Sequence, residues 1–212
     1  MPNLPRIEPG KRVIVAGRTG SGKSTLACWL LEHTSQHWLV LNPKHTAAYR
    51  GLSDVIVFSK FDEKAIRKEI QRTKFVLLNF SGDEASADFM DAVIVWAHET
   101  LKNVGLCVDE LYTLHSASGR AGDGLIGWLT RGRELRQSFI GLTQRPAWIS
   151  RFVMSEADAI CAMDLVLADD RMRMREATGQ DHYLDRVRAH RWLWYSVAED
   201  ELRLYGPVPI AQ

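Results

Sequence analysis

The chain has 212 residues, 46% hydrophobic and 25% charged, enough to bury a full core in one globular unit. Its 27 Lys and Arg against 26 Asp and Glu leave a net charge of +1, so a polyanion must be met by a local basic patch and not by the global field. Cys28, Cys107 and Cys161 lie in apolar runs without metal-ligand spacing and read as reduced core thiols, Met1–Arg6 lacks the apolar stretch of a signal peptide, and no run approaches the ~20 apolar residues of a membrane span.

Apolar runs of strand length alternate with helical patterns, as in a parallel sheet with helices on both faces. The first strand, Arg12–Ala16, runs into Gly17-Arg18-Thr19-Gly20-Ser21-Gly22-Lys23-Ser24-Thr25 and then a helix beginning near Lys23. Further strands are expected at Trp38–Leu41, Val55–Phe58, Phe75–Phe80, Gly105–Val108, Phe139–Thr143 and Ala159–Met163. Glu63–Arg72 reads as a polar helix capped by Asp62, and Ala87–Leu101 sets Met90, Val93, Ile94, Ala97 and Leu101 at helical spacing. After Met163 the order changes to a polar helix near Asp169–Thr178, a short helix near His182–Val187, and a terminal hairpin of Arg191–Val197 with Leu202–Tyr205. With no repeat or linker in the sequence, one domain over 1–212 is expected, its core at about 10–165 and a C-terminal extension at about 166–212.

The glycine-rich segment matches Gly-x-x-x-x-Gly-Lys-Ser/Thr at every fixed position, in the strand-to-helix context that motif requires. Glycines let successive N–H groups point inward at phosphate oxygens, and the helix N-terminus adds partial positive charge. The reading is nucleoside triphosphate binding by Gly17 to Thr25, with Lys23 on the β- and γ-phosphates and Ser24 on magnesium (Mg2+). A second signal is Val104-Gly105-Leu106-Cys107-Val108-Asp109-Glu110, an apolar strand ending in two carboxylates. Asp109 is placed to hold magnesium and Glu110 to deprotonate the attacking water, where a bare acidic pair would serve as a cap or turn.

A third signal is Phe139-Ile140-Gly141-Leu142-Thr143-Gln144-Arg145-Pro146. Gln144, at a strand's carboxyl end, either senses the γ-phosphate or caps the turn before Pro146. Arg131, Arg133 and Arg136 precede it, either as a solvated face or as a source of an arginine finger for a neighbouring subunit. Leu114 to Gly124 is a small, polar loop able to touch a phosphate backbone, or else a plain surface loop. Arg171, Arg173 and Arg175 read as a solvated face, and Arg186, Arg188 and Arg191 form a second basic stretch. Trp192 and Trp194 are expected to fill the space between hairpin and body.

From Val13 to about Met163 the chain resembles the FtsK/HerA superfamily of DNA-pumping ATPases, and within it the small genome-packaging ATPases of membrane-containing, double-jelly-roll viruses and phages. The resemblance rests on Gly17–Thr25, Asn42-Pro43-Lys44 after the second strand, Val108-Asp109-Glu110, and Thr143-Gln144-Arg145-Pro146 preceded by Arg131 and Arg133. It implies a RecA-like α/β fold in which the Gln144 strand lies between the Gly17 and Asp109 strands. It implies ATP as cofactor, Lys23 and Ser24 on phosphate and magnesium, Asp109 on magnesium, Glu110 as general base and Gln144 as sensor. It further implies a trans arginine, Arg133 first and Arg136 second, in a homomeric ring (pentamer or hexamer) on double-stranded DNA. Many relatives have Asp-Pro where this chain has Asn42-Pro43, so a carboxylate is missing from that turn while its geometry remains available to Asn. A chain of this length suits a motor that borrows its anchoring from capsid-vertex or membrane proteins of the virion, in the host cytoplasm. A P-loop small-molecule kinase and a cellular or plasmid translocase are the alternatives. No Asn-Lys-x-Asp segment supports a GTP switch, and no Leu-Ser-Gly-Gly an ABC ATPase.

Overall fold

A computed structural model of the chain describes residues 4–115 and 119–209. Its elements run β1 (Arg12–Ala16), α1 (Lys23–Glu32), β2 (His37–Leu41), β3 (Val55–Phe58), α2 (Glu63–Glu69), β4 (Phe75–Leu78), α3 (Ala87–Thr100) and β5 (Val104–Val108). They continue with α4 (Asp123–Arg131), β6 (Phe139–Thr143), α5 (Arg151–Ser155), β7 (Ala159–Ala162), α6 (Ala168–Thr178), β8 (Trp192–Ser196) and β9 (Glu201–Tyr205).

Nine strands form one sheet in the order β3-β4-β2-β5-β6-β1-β7-β8-β9. From β3 to β7 all neighbours are parallel, and β8 and β9 add an antiparallel edge. Strand β6 thus sits between β1 and β5, as the resemblance implies. This brings the loops after β1, β5, β6 and β7 to one carboxyl-terminal rim, where an open α/β sheet binds its ligands. In register, Gly105 of β5 lies beside Trp38 of β2, and a Cβ on Gly105 would come within 2.4 Å of the buried indole ring. Glycine is therefore required there by the packing of its neighbour.

Alternation along the central strands divides the core into two layers. Val13 and Val15 of β1 pack with Leu26, Ala27, Leu30 and Leu31 of α1. Ile14 and Ala16 face the opposite layer, with Ile94 and Ala97 of α3, Leu125 and Trp128 of α4, and Met174 of α6. Each fully buried side chain of this size contributes about 1.5–3 kcal/mol of transfer free energy. Trp192 and Trp194 belong to the α1 layer, with the Trp192 ring stacked on Tyr205 at 4.5 Å between centroids, so the expected filling role is borne out.

Asp62 caps α2 by accepting from the Ala65 N–H at 3.0 Å, as expected, and Ser86 caps α3 through Phe89. The sequence pattern does not delimit helix α4. Its first-turn N–H groups are held from another helix, with the Asp91 carboxylate accepting from Gly124 at 2.9 Å and Leu125 at 3.0 Å. The three cysteines are free, and burial pushes the Cys28 thiol up to about 12. Among the described residues, no helix is long and apolar enough to cross a membrane.

Candidate nucleotide-binding site

Helix α1 begins after Gly22, at φ 102°, with no side chain capping its first turn. Its leading N–H groups are thereby left for a ligand. Gly20, at φ 75°, completes the curl in a conformation costly for any residue bearing a Cβ. The loop is anchored at its base, where Gly17 N–H donates to the Thr143 carbonyl at 3.1 Å and Arg18 N–H to the Asp164 carbonyl at 2.9 Å. Lys23 is buried, and its Nζ donates to the Arg18 carbonyl at 3.1 Å across the loop. Burial pushes the Lys23 amine down from its ordinary value, while Glu110 and Asp109 pull it back up. Ser24 is half-buried and Thr25 exposed at the start of the helix.

Asp109 and Glu110 leave β5 into this loop's surroundings with 2% and 3% of their surfaces exposed. Desolvation raises the Asp109 carboxyl, opposed first by the Thr46 hydroxyl, which donates to Oδ2 at 2.6 Å. Glu110 adopts φ 65°, an uncommon conformation for a residue with a side chain. Its Oε1 receives both the Lys44 ammonium, at 2.8 Å, and the Gln144 Nε2 amide. Its Oε2 is buried and has no hydrogen-bond partner. A buried carboxylate oxygen left open in a satisfied setting is a site for a ligand or a water.

Gln144 does not cap the turn before Pro146. Its Oε1 accepts from the Thr19 hydroxyl at 2.5 Å, so a single amide joins the glycine-rich loop to Glu110. Its neighbours are fixed independently: Arg145 N–H donates to Thr143 Oγ1 at 3.1 Å, and the Arg145 guanidinium meets buried Asp170 at 3.1 Å and lies over the Trp148 ring. Asn42 makes the expected turn, its side chain accepting from Thr46 N–H at 2.9 Å and donating to Asn79 at 2.8 Å. That turn aims Lys44 and Thr46 at the two carboxylates, a function the sequence does not disclose. Its only trace there is the Asn42-Pro43-Lys44 tripeptide.

Arg18 turns sideways to Asp164, after β7, at 2.7 Å. Arg186 grips the same carboxylate through Nε at 2.8 Å and Nη2 at 2.6 Å, and holds it at about 2, below the ordinary carboxylate value. Arg133 and Arg136 are not brought to this rim. Arg133 pairs at 2.9 Å with Asp158, before β7, and the Arg136 carbonyl accepts from Gln36, before β2, so both lie at the amino ends of the strands. Arg171 and Arg175 tie α6 to the following segment through the Leu184 carbonyl and Asp181, while Arg173 pairs with Glu176 within the helix. The loop proposed to touch a phosphate backbone includes residues 116–118, which lie outside the described residues, and its ends are joined by a bridge between His115 and Ala121.

A magnesium ion takes oxygen ligands, commonly one or two carboxylates with waters and phosphate oxygens. Asp109 and Ser24 fit that donor set, and among the described residues no group of three or more His, Cys, Asp or Glu forms a self-sufficient metal cage. Strand-borne carboxylates beside an uncapped, glycine-opened helix define a P-loop NTPase. The chain is 25% identical to the DNA packaging ATPase P9 of Enterobacteria phage PRD1 over 223 aligned residues, 95% of this chain and 88% of that protein. Its fold matches the DNA-packaging ATPase B204 of Sulfolobus turreted icosahedral virus with a TM-score of 0.73 and 16% identity, over 96% of this chain and 100% of that one. VirB4 of Thermoanaerobacter pseudethanolicus matches with a TM-score of 0.69 and 10% identity, over 94% and 89%. No protein-family model matches. The resemblance to FtsK/HerA-type viral packaging ATPases is borne out, and with it the expectation of an ATPase.

Proposed function

We propose that the protein is an ATP-driven translocase of double-stranded DNA, a viral genome-packaging motor that hydrolyses ATP at the subunit interfaces of a homomeric ring. One P-loop domain carries the activity, and its C-terminal segment closes the sheet with the β8–β9 edge. The observation that carries the reading is Glu110: buried, locked through Oε1, open at Oε2, and linked by Gln144 to Thr19 of the phosphate loop. That arrangement suits a base aimed at one water, with the state of the loop transmitted to it through one amide. The packaging role is drawn from the relatives, both DNA packaging ATPases.

In this reading the Gly17–Thr25 backbone holds the phosphates, Lys23 leaves the Arg18 carbonyl to reach the β- and γ-phosphates, and Glu110 takes the proton of the attacking water. Magnesium, held by Ser24 and Asp109, supplies charge neutralisation on the phosphate oxygens. The neighbouring subunit supplies Arg133, or failing that Arg136, to the developing charge. Arg133 is exposed, and its partner Asp158 would have to release it to a neighbour's site. DNA and the capsid vertex are the partners.

ATP turnover measured with and without linear duplex DNA tests the proposal. DNA is expected to stimulate hydrolysis several-fold, and Lys23→Ala to abolish it. Phosphoryl transfer from ATP to a nucleotide acceptor, with no response to DNA, would instead identify a kinase. For the trans arginine, Arg133→Ala subunits mixed with Lys23→Ala subunits should regain turnover that neither has alone, since a Lys23→Ala subunit still donates its Arg133 to the intact phosphate site of an Arg133→Ala neighbour. No recovery on mixing, or full turnover by Arg133→Ala alone, would return Arg133 to a purely structural pairing with Asp158.

A further inference from the structure

The phosphate loop has two flanks, and the proposed chemistry uses only one. Thr19, Gln144, Glu110 and Asp109 gather on the side of β6 and β5. A triphosphate laid on the loop with its γ-phosphate toward Glu110 has its remaining half directed to the other side, toward β7 and β8. There the structure holds a pocket of about 410 Å³, lined by Arg18, Gly20 and Ser21 of the loop and by Asp164, Arg186, Arg188, Ala189 and His190. Its volume lies in the range of small-ligand sites, ~300–1,000 Å³. It is continuous with the phosphate loop through Gly20 and Ser21.

Three observations make this wall a built one. Both Arg18 and Arg186 are tied to Asp164, with Arg186 in a two-pronged grip through Nε and Nη2. The donors facing the carboxylate are thereby engaged, and the planar guanidinium is fixed as a flat surface, the geometry on which aromatic rings stack. Arg188 to Arg191 form a tight turn, closed by Arg191 N–H on the Arg188 carbonyl at 3.2 Å, in which Ala189 and His190 have φ of 59° and 54°. Two consecutive left-handed residues suit Asn-Gly, and a turn that holds them without glycine is kept by its surroundings and concentrates at ligand sites. The tie is His190, whose Nδ1 meets the Ser21 carbonyl of the phosphate loop at 3.2 Å. The same nitrogen would lie 3.5 Å from a Cβ built on Gly22, so the imidazole rests against the loop's last glycine.

We propose that this pocket receives the nucleoside half of the nucleotide, its base and ribose, against the fixed Arg186 guanidinium and the His190 imidazole. The inference rests on the P-loop reading and assigns a role to the Arg186–Arg188 stretch that the hydrolytic site leaves unused. A groove for DNA phosphates is the competing use of the same arginines. It is disfavoured because Arg18 and Arg186 already share Asp164, whose carboxylate offsets the charge that would hold a DNA phosphate.

ADP and inorganic pyrophosphate are a matched pair of probes, since both contact the phosphate loop and only ADP carries a nucleoside. Titration calorimetry of the wild type, His190→Ala and Arg186→Lys, with magnesium present, reads the difference. ADP affinity is expected to fall about tenfold in each variant while pyrophosphate affinity stays within twofold. Arg186→Lys keeps the charge and the partner Asp164 but loses the plane, and thermal melts establish that both variants are folded. Unchanged ADP affinity in both overturns the proposal, as does equal weakening of ADP and pyrophosphate, which would make the turn a prop for the loop. Loss of duplex DNA binding with ADP affinity intact would assign the surface to DNA. Lys23→Ala separately tests the underlying reading: if it leaves pyrophosphate binding intact, the phosphate site itself is misassigned.

Discussion

The two flanks of the phosphate loop are built on opposite physical terms. On the β5–β6 side, Asp109 and Glu110 are almost wholly withdrawn from water, carried at the ends of strands whose residues are all buried. On the β7–β8 side, Arg18, Arg186, Arg188 and His190 stand exposed on loops, with order imposed by one shared carboxylate. Activating a water demands a desolvated base in one orientation, because a low local dielectric strengthens every interaction the base makes. Holding the organic part of a ligand demands shaped surface and tolerates solvent. The contrast predicts that substitutions on the first flank act on rate and those on the second on affinity.

The largest test of that division is Glu110→Gln. The amide keeps shape and Oε1 but cannot take a proton, so kcat is expected to fall by about 10²–10⁴-fold with nucleotide binding retained. A Glu110→Gln protein that binds ATP tenfold more weakly at unchanged kcat would erase the distinction between flanks. Lys44→Met comes next. Lys44 holds Oε1 at 2.8 Å and so leaves Oε2 as the open face. Removing it frees the carboxylate to rotate, and kcat is expected to drop about tenfold at unchanged KM, with Lys44→Arg recovering part of the loss. An increase in kcat would instead identify Lys44 as a restraint on the base.

The legibility of the two flanks in the sequence follows the same contrast. Strands β1 and β6 have the bounds the sequence predicts, because a fully buried parallel strand is a continuous apolar run with polar residues at its end, and the partly exposed edge strand β3 keeps its predicted bounds as well. Asp109, Glu110 and Gln144 were legible for that reason: they lie in the polar breaks that end such runs. Helix α4 was missed because Gly122, Gly124 and Gly127 give it the composition of a loop, although Leu125, Trp128 and Leu129 show its buried face. Lys44 is visible in the sequence only as the end of a tripeptide, since nothing local says that a turn after β2 folds onto a residue 66 positions later. Arg133 and Arg136 were legible as a basic cluster, and their place just before β6 already puts them at the amino end of that strand, opposite the rim. The Arg186 stretch was equally visible, whereas its partner Asp164 is distant in sequence and marked by no motif.

The smallest expected effect lies on the exposed flank, in the Asp164 clamp. Hydrogen bonds from Arg186 and then Arg18 hold the Asp164 carboxyl at about 2, where an unfolded aspartate titrates near ~3.9. A carboxyl depressed in the folded state contributes stability that is fully present above the unfolded value and is lost as pH falls through the folded one. The Arg18 side chain is 52% exposed and that of Arg186 35%, so solvent screening limits the contribution to about 1 kcal/mol. Urea unfolding of wild type and Asp164→Asn at pH 7, 4 and 2.5 is expected to show that gap at pH 7, narrowing below ~4 as the unfolded carboxyl takes up its proton ahead of the folded one. Should the gap persist undiminished at pH 2.5, the clamp would be holding the P-loop by packing and not by charge. The exposed flank would then be built on the same dry terms as the hydrolytic one, and the division between rate and affinity would lose its physical basis.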